Sequence, residues 1–215
     1  MTADDQGSLP APEDPGLVPR IVETVALAFA DDPTWSPIVE SNTSDPTASR
    51  RYWELFVRSA QRYPWTSAVD GAEAVAVWFP PGAEELTPSE IEEFPAFATE
   101  LFGPRRTEEL LRIIDRFDEA RPPGEYFYLS LLATRPASRG RGLGLGLLQA
   151  DLHRLDALGQ PSYLESSNPA NDARYGRLGY RPHGRILLPS GLELTTMWRD
   201  PSSSAMGDRQ ERPAA

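Results

Sequence analysis

The chain has no cysteine, no lysine and only two histidines, His153 and His183. Without cysteine it can form no disulfide, no thiolate metal site and no S-acyl-enzyme intermediate. Two histidines leave little for zinc, so no metal is expected. Any acyl transfer must then be direct or pass through oxygen. Without lysine there is no P-loop, whose Gly-Lys-Ser/Thr closes on a nucleotide phosphate. No stretch approaches the ~20 apolar residues of a membrane span, and the acidic, proline-rich N-terminus lacks the basic-then-apolar order of a secretion signal. A cytoplasmic protein with no membrane partner is expected. The net charge of −11 argues against nucleic acid as a partner, because phosphate-binding surfaces are basic. An acidic cleft would attract a cationic amine, although solubility alone would account for the same charge.

What is present centres on residues 126–148, YFYLSLLATRPASRGRGLGLGLL. The apolar run from Tyr126 to Thr134 suits a buried strand, and Pro136 stops it. From Leu143 the leucines Leu143, Leu147, Leu148, Leu152 and Leu155 recur at helical spacing, so the order is strand, tight loop, helix. Glycines in the loop let successive backbone N–H groups point into one concavity. The free N–H groups of the helix's first turn add partial positive charge there, and a diphosphate fits such a cradle. A dinucleotide fingerprint is excluded, since the third glycine of Gly-x-Gly-x-x-Gly falls on Leu145 or Leu147. Glycine-rich loops also serve simply as strand-to-helix turns, so the loop alone leaves both readings open.

A second segment, LESSNPANDARYGRLGY (164–180), places Asn168 seven residues before Tyr175, followed by Leu178-Gly179-Tyr180. Together, Arg-Gly-x-Gly-x-Gly after a strand and this downstream segment resemble the two cofactor segments of the GNAT superfamily of N-acetyltransferases. The stretches AFADDP (28–33), AVAVWFPPG (74–82) and Met197-Trp198-Arg199 are similar to the puromycin N-acetyltransferase-like group. The resemblance implies an α/β (α+β) fold. A mixed, mostly antiparallel twisted sheet of about six to seven strands would be flanked by helices, with a helical insertion before the cofactor strand. It also implies acetyl-CoA as co-substrate. Its diphosphate would lie on Arg139, Gly140, Arg141, Gly142, Leu143 and Gly144. A strand bulge would turn the backbone of Leu131, Leu132, Ala133 and Thr134 to the acetyl and pantetheine, and Asn168 would bond the pantetheine arm or phosphates.

By the same resemblance Tyr175 sits near the CoA sulfur, where a phenol can donate to the leaving thiolate. An alkylamine also needs a base, and Glu165, inside Leu-Glu-Ser-Ser, is the leading candidate. Glu125, at the start of the cofactor strand, is the second carboxylate on the acceptor side. Trp35 and Trp53 are candidate acceptor contacts, although aromatics at such spacing are more often core. Thr134 and Arg135 depart from the group's usual strand ending, and Gly176 stands where an acidic residue is usual. The expected activity is direct transfer of acetyl to a primary amine of a small molecule. A protein N-acetyltransferase and a non-catalytic acetyl-CoA sensor are the rivals.

Elsewhere, residues 1–16 and 201–215 read as disordered tails around one domain, 17–200. Helices are expected over Leu17–Ala30 and Thr47–Arg62, and a two-residue hairpin turn at Asp70-Gly71. An insertion of two helices over about 87–118 starts at a capping box, Thr87-Pro88-Ser89-Glu90. A short strand should cover Ser162–Ser166, and the chain should close on an antiparallel pair, Tyr180–Leu188 with Leu192–Arg199. No strand is apparent before the first helix, although the group usually has one. The insertion would form an acceptor lid or a dimer contact, leaving monomer and homodimer open.

Overall fold

The computed structural model describes residues 14–40 and 47–202. The tails predicted for 1–16 and 201–215 lie outside these residues, apart from 14–16 and 201–202. Six strands form one sheet in the order β1 (Thr66–Ala68), β2 (Ala74–Phe79), β3 (Phe127–Thr134), β4 (Ser162–Ser166), β6 (Glu193–Arg199), β5 (Arg181–Leu187). Every pairing is antiparallel except β3 with β4. This is the mostly antiparallel α/β sheet flanked by helices that the sequence implied. Among the described residues no strand precedes the first helix.

One side of the sheet carries α1 (Leu17–Phe29), the short α2 (Ser36–Val39), α3 (Ala48–Ala60), α4 (Pro88–Phe102) and α5 (Pro104–Ala120). Their buried faces, including Ile21, Val25, Tyr52, Val57, Ala98 and Leu110, pack with Val75, Val77 and Leu131 into the larger core. The expected capping box starts α4: Thr87 Oγ1 accepts from the Glu90 amide at 3.2 Å and Glu90 Oε2 accepts from the Thr87 amide at 2.7 Å. Two orphan amides are thereby satisfied. The other side carries α6 (Leu143–Leu158), whose Leu148, Leu152 and Leu155 meet Ala76, Trp78 and Leu129.

Two buried carboxylates fix α6. Asp151 accepts from the Trp78 indole at 2.9 Å and from Ser67 Oγ at 2.7 Å, tying the helix to β2 and β1. Asp156 accepts two bonds from the Arg199 guanidinium, both at 2.7 Å, anchoring the helix to β6. A forked pair of this kind leaves neither buried charge without a partner.

The hairpin at Asp70-Gly71 exists but is longer than the dipeptide predicts. Val69 N–H bonds Ala74 C=O, and a 3-10 turn over Asp70–Ala72 fills the loop. The reason is tertiary: Ala72 is fully buried at a positive φ of 56°, and its carbonyl accepts from Thr24 Oγ1 of α1. Anchoring that carbonyl on α1 holds the loop open against the tighter turn.

Candidate active site

Strand β3 was expected to be buried on both faces. Instead its residues alternate between buried and half-buried, and a bulge explains how one strand serves both a core and a cleft. Register with β2 shifts between Val77 and Trp78, which face Leu131 and Leu129 and leave Ser130 as the extra residue. Phe127 and Leu129 enter the α6-side core before it, whereas Leu131 and Ala133 enter the opposite core after it. The extra residue inverts which side chains face which layer.

Strands β3 and β4 pair only at Phe127–Ser162 and Tyr128–Tyr163, after which β4 continues along β6 alone. The sheet therefore opens into a V beyond Tyr128. Arg135 N–H bonds Glu73 C=O at 2.9 Å, so by antiparallel alternation Ala133 and Leu131 also direct their backbone groups to β2. Leu132 and Thr134 direct theirs into the V. The backbone contacts expected across Leu131–Thr134 thus narrow to these two residues, with Leu131 and Ala133 committed to β2.

At the end of β3 the chain turns through a 3-10 turn, Pro136–Ser138, into the glycine loop. Gly140 and Gly142 have φ of 79° and 78°, the left-handed region that glycine alone enters without strain. The first backbone bond of α6 runs from Gly146 N–H to Gly142 C=O at 2.9 Å. The amides of Leu143, Gly144 and Leu145 consequently lack helix partners at the positive end of a 16-residue helix. Gly144 is also tied to close packing, because a Cβ there would lie 2.5 Å from Thr134 Oγ1.

These elements line one cleft of about 1040 Å³. Its cradle end holds Arg139, Gly140, Gly142, Leu143 and Gly144, with Asn168, Arg174 and Tyr175 across from them. Its other end is walled by α4 and α5 of the insertion, through residues such as Phe94, Ile114 and Phe117, and by Trp35 and Trp53. Trp53 is only 2% exposed and packs against Phe29, Trp35 and Tyr52; it is chiefly core. Acidic side chains collect at this end, including Glu84, Glu85, Asp115, Asp118 and Glu165. Arg121 is the cation among them, and it is paired with Glu85 and stacked 4.4 Å over the Tyr128 ring.

Three sequence candidates fall outside: Ala133, buried in the core and paired with Val75 of β2, together with Arg141 and Glu125. Arg141 is exposed and its guanidinium reaches both oxygens of Glu73 at 3.1 Å, away from the cleft. The left-handed residues on either side of it turn its side chain toward β2. Glu125 is exposed ahead of β3 and does not line the cleft, because the chain turns at Gly124, φ 114°, before the strand begins at Phe127. Arg139 lines the cleft while donating to Ala28 C=O at 3.0 Å. Asn168 also lines it, but its Oδ1 caps the next turn by accepting from Ala170 N–H at 3.0 Å.

The two candidate proton carriers are tuned to different tasks. Burial pushes the Glu165 carboxyl from its ordinary 4.5 up to about 7, against the positive charge of Arg121 and the hydroxyl of Tyr128; the Glu85 charge adds to the rise. Its Oε1 is buried without a hydrogen-bond partner. Burial, with the charges of Asp32 and Asp172, pushes the Tyr175 phenol up to about 12 and holds it protonated at neutral pH. One group can accept a proton near pH 7 and the other can donate one.

No protein-family model matches the chain. Solved structures do. A Corynebacterium glutamicum protein described as histone acetyltransferase HPA2 and related acetyltransferase is 25% identical over 88% of this chain and 93% of that one, with a TM-score of 0.60. An agmatine N-acetyltransferase, a mutant in its apo form, is 16% identical over 87% and 96%, with a TM-score of 0.57. A GNAT-family acetyltransferase from Streptococcus agalactiae is 14% identical over 88% and 92%, with a TM-score of 0.52. The chain has the fold of these acetyltransferases. Among the described residues, no helix is long and apolar enough to cross a membrane.

Proposed function

We propose that the protein transfers acetyl from acetyl-CoA to the primary amine of a small cationic molecule, directly and in a ternary complex. The observation that carries this reading is the division of charge along one cleft. Unpartnered helix amides with Arg139 and Arg174 stand at the cradle end, with Tyr175 across from them. Most of the cleft's carboxylates gather at the other end around Arg121, while Asp31 and Asp32 line the wall at the end of α1. An anionic diphosphate suits the first end and an ammonium the second.

In this reading the amides of Gly140–Leu145, with Arg139, hold the diphosphate. The inward backbone of Leu132 and Thr134 pairs with the pantetheine, and an N–H of the V stabilises the oxyanion of the tetrahedral intermediate. Glu165 draws a proton from the ammonium, freeing the nitrogen lone pair for attack on the thioester carbonyl. Tyr175 gives its proton to the departing thiolate. The walls formed by α4 and α5 and the aromatic side chains around Trp35 favour a small acceptor over a protein chain, which needs an open groove.

The test is thiol release on mixing the protein, acetyl-CoA and a panel of primary amines. Amine-dependent release, greatest with small cationic amines, is expected. CoA binding without release would instead make the protein a sensor, and release with peptide N-termini alone would move the acceptor to protein.

A further inference from the structure

The turn that ends α1 contains a carboxylate to which the scheme above gives no task. Asp32 is 8% exposed and sits on the cleft wall, as do Ser167 and Tyr175. Asp32 Oδ1 accepts from the amides of Thr34 at 2.9 Å and Trp35 at 3.2 Å, which fixes the carboxylate in place. Asp32 Oδ2 accepts from the hydroxyl of Ser167 at 2.8 Å, 135 residues away at the end of β4. A second bond, Thr34 Oγ1 to Ser167 C=O at 2.8 Å, holds the two segments together. The Ser167 O–H is thus turned onto Asp32, so the hydroxyl oxygen of this cleft-lining residue keeps its lone pairs for accepting a proton. Burial also raises the proton affinity of the Asp32 carboxylate.

A nitrogen that enters as an ammonium and leaves as an amide loses two protons, and Glu165 accounts for one. We propose that Ser167 and Asp32 together take the other. After attack, the positively charged N–H of the tetrahedral intermediate breaks and its proton goes to Ser167 Oγ, as the Ser167 proton passes to Asp32 Oδ2. The carboxylate becomes a carboxylic acid and the serine hydroxyl is restored. Collapse then breaks the C–S bond, and the thiolate takes the proton of Tyr175. Of the protons then held by Glu165 and Asp32, one returns to Tyr175 and one leaves to solvent, so the cycle balances. Ser167 acts on the substrate, and Asp32 acts through it.

The proposal rests on the acetyl-transfer reading. It is tested with acetyl-CoA and the best primary alkylamine of the panel, together with fluorinated analogues of lower amine pKa. Ser167→Ala and Asp32→Asn should each lower kcat by ~10²-fold without changing KM for acetyl-CoA. The double variant should be no slower than either single one, because the pair works as a unit. Ser167→Thr, which keeps the hydroxyl, should restore most of the rate. The Ser167→Ala loss should shrink as the amine pKa falls, an effect that a purely structural role would not produce. A Ser167→Ala kcat within twofold of wild type, or a loss equal for every amine, overturns this assignment alone provided the Tyr175 and Glu165 variants are impaired. A wild-type protein that acetylates no amine overturns both.

Discussion

Replacing Tyr175 by phenylalanine is expected to lower kcat by ~10²–10³-fold while leaving the affinity for acetyl-CoA nearly unchanged. The expulsion of an alkyl thiolate needs a proton at the sulfur, and the phenol lines the cleft across from the cradle. Burial and two neighbouring carboxylates keep it protonated up to about 12, so it remains a donor across the physiological range. Phenylalanine keeps the ring and its edge contact with Tyr180, whose centroid is 6.1 Å away. Only the proton is removed, and the loss should therefore fall on turnover and not on cofactor binding. Single-turnover kinetics with a saturating amine measures this directly, and an unchanged rate would remove the donor role.

Glu165→Gln should cost as much or more, ~10²–10⁴-fold in kcat/KM for the amine, and should change the pH profile. A base works only when ionised. With its carboxyl raised to about 7 by burial, the wild-type kcat/KM should climb as pH rises through 7 and then level off. Below that pH the group already holds a proton and cannot take another. Glutamine cannot titrate, so the variant should lack this limb altogether. If the Glu165→Gln enzyme kept the same limb, the ionisation would belong elsewhere in the cleft. Asp118, which burial also raises, is the first place to look.

The parts of this site that were legible in the sequence are those built by local backbone chemistry. Gly140 and Gly142 announce a left-handed loop at the start of a helix, Thr87 to Glu90 announce a cap, and both are found where expected. What was hidden depends on residues far apart in the chain. Nothing in YLSLLA marks Ser130 as a bulge, since the shift is set by register against Trp78 and Val77. Arg141 fits the Arg-Gly-x-Gly-x-Gly pattern of the sequence, but the loop's turn delivers it to Glu73, 68 residues earlier. Glu125 resembles a base by position, yet the strand begins two residues too late to bring it into the cleft. Asp32 and Ser167 each sit in a recognisable motif, and only the folded chain shows that they are hydrogen-bonded to each other. The acidic end of the cleft is likewise assembled from α5, β4 and the loop before α4, and no single segment of the sequence is acidic enough to announce it.

The most direct measurement is the structure of the protein with CoA bound. The account predicts the two linked phosphates within hydrogen-bonding distance of the amides of Gly140–Leu145. It places the pantetheine along Leu132 and Thr134 in the opening between β3 and β4, with the sulfur beside Tyr175. CoA held elsewhere, or a diphosphate gripped by side chains while those amides stay in solvent, would contradict it.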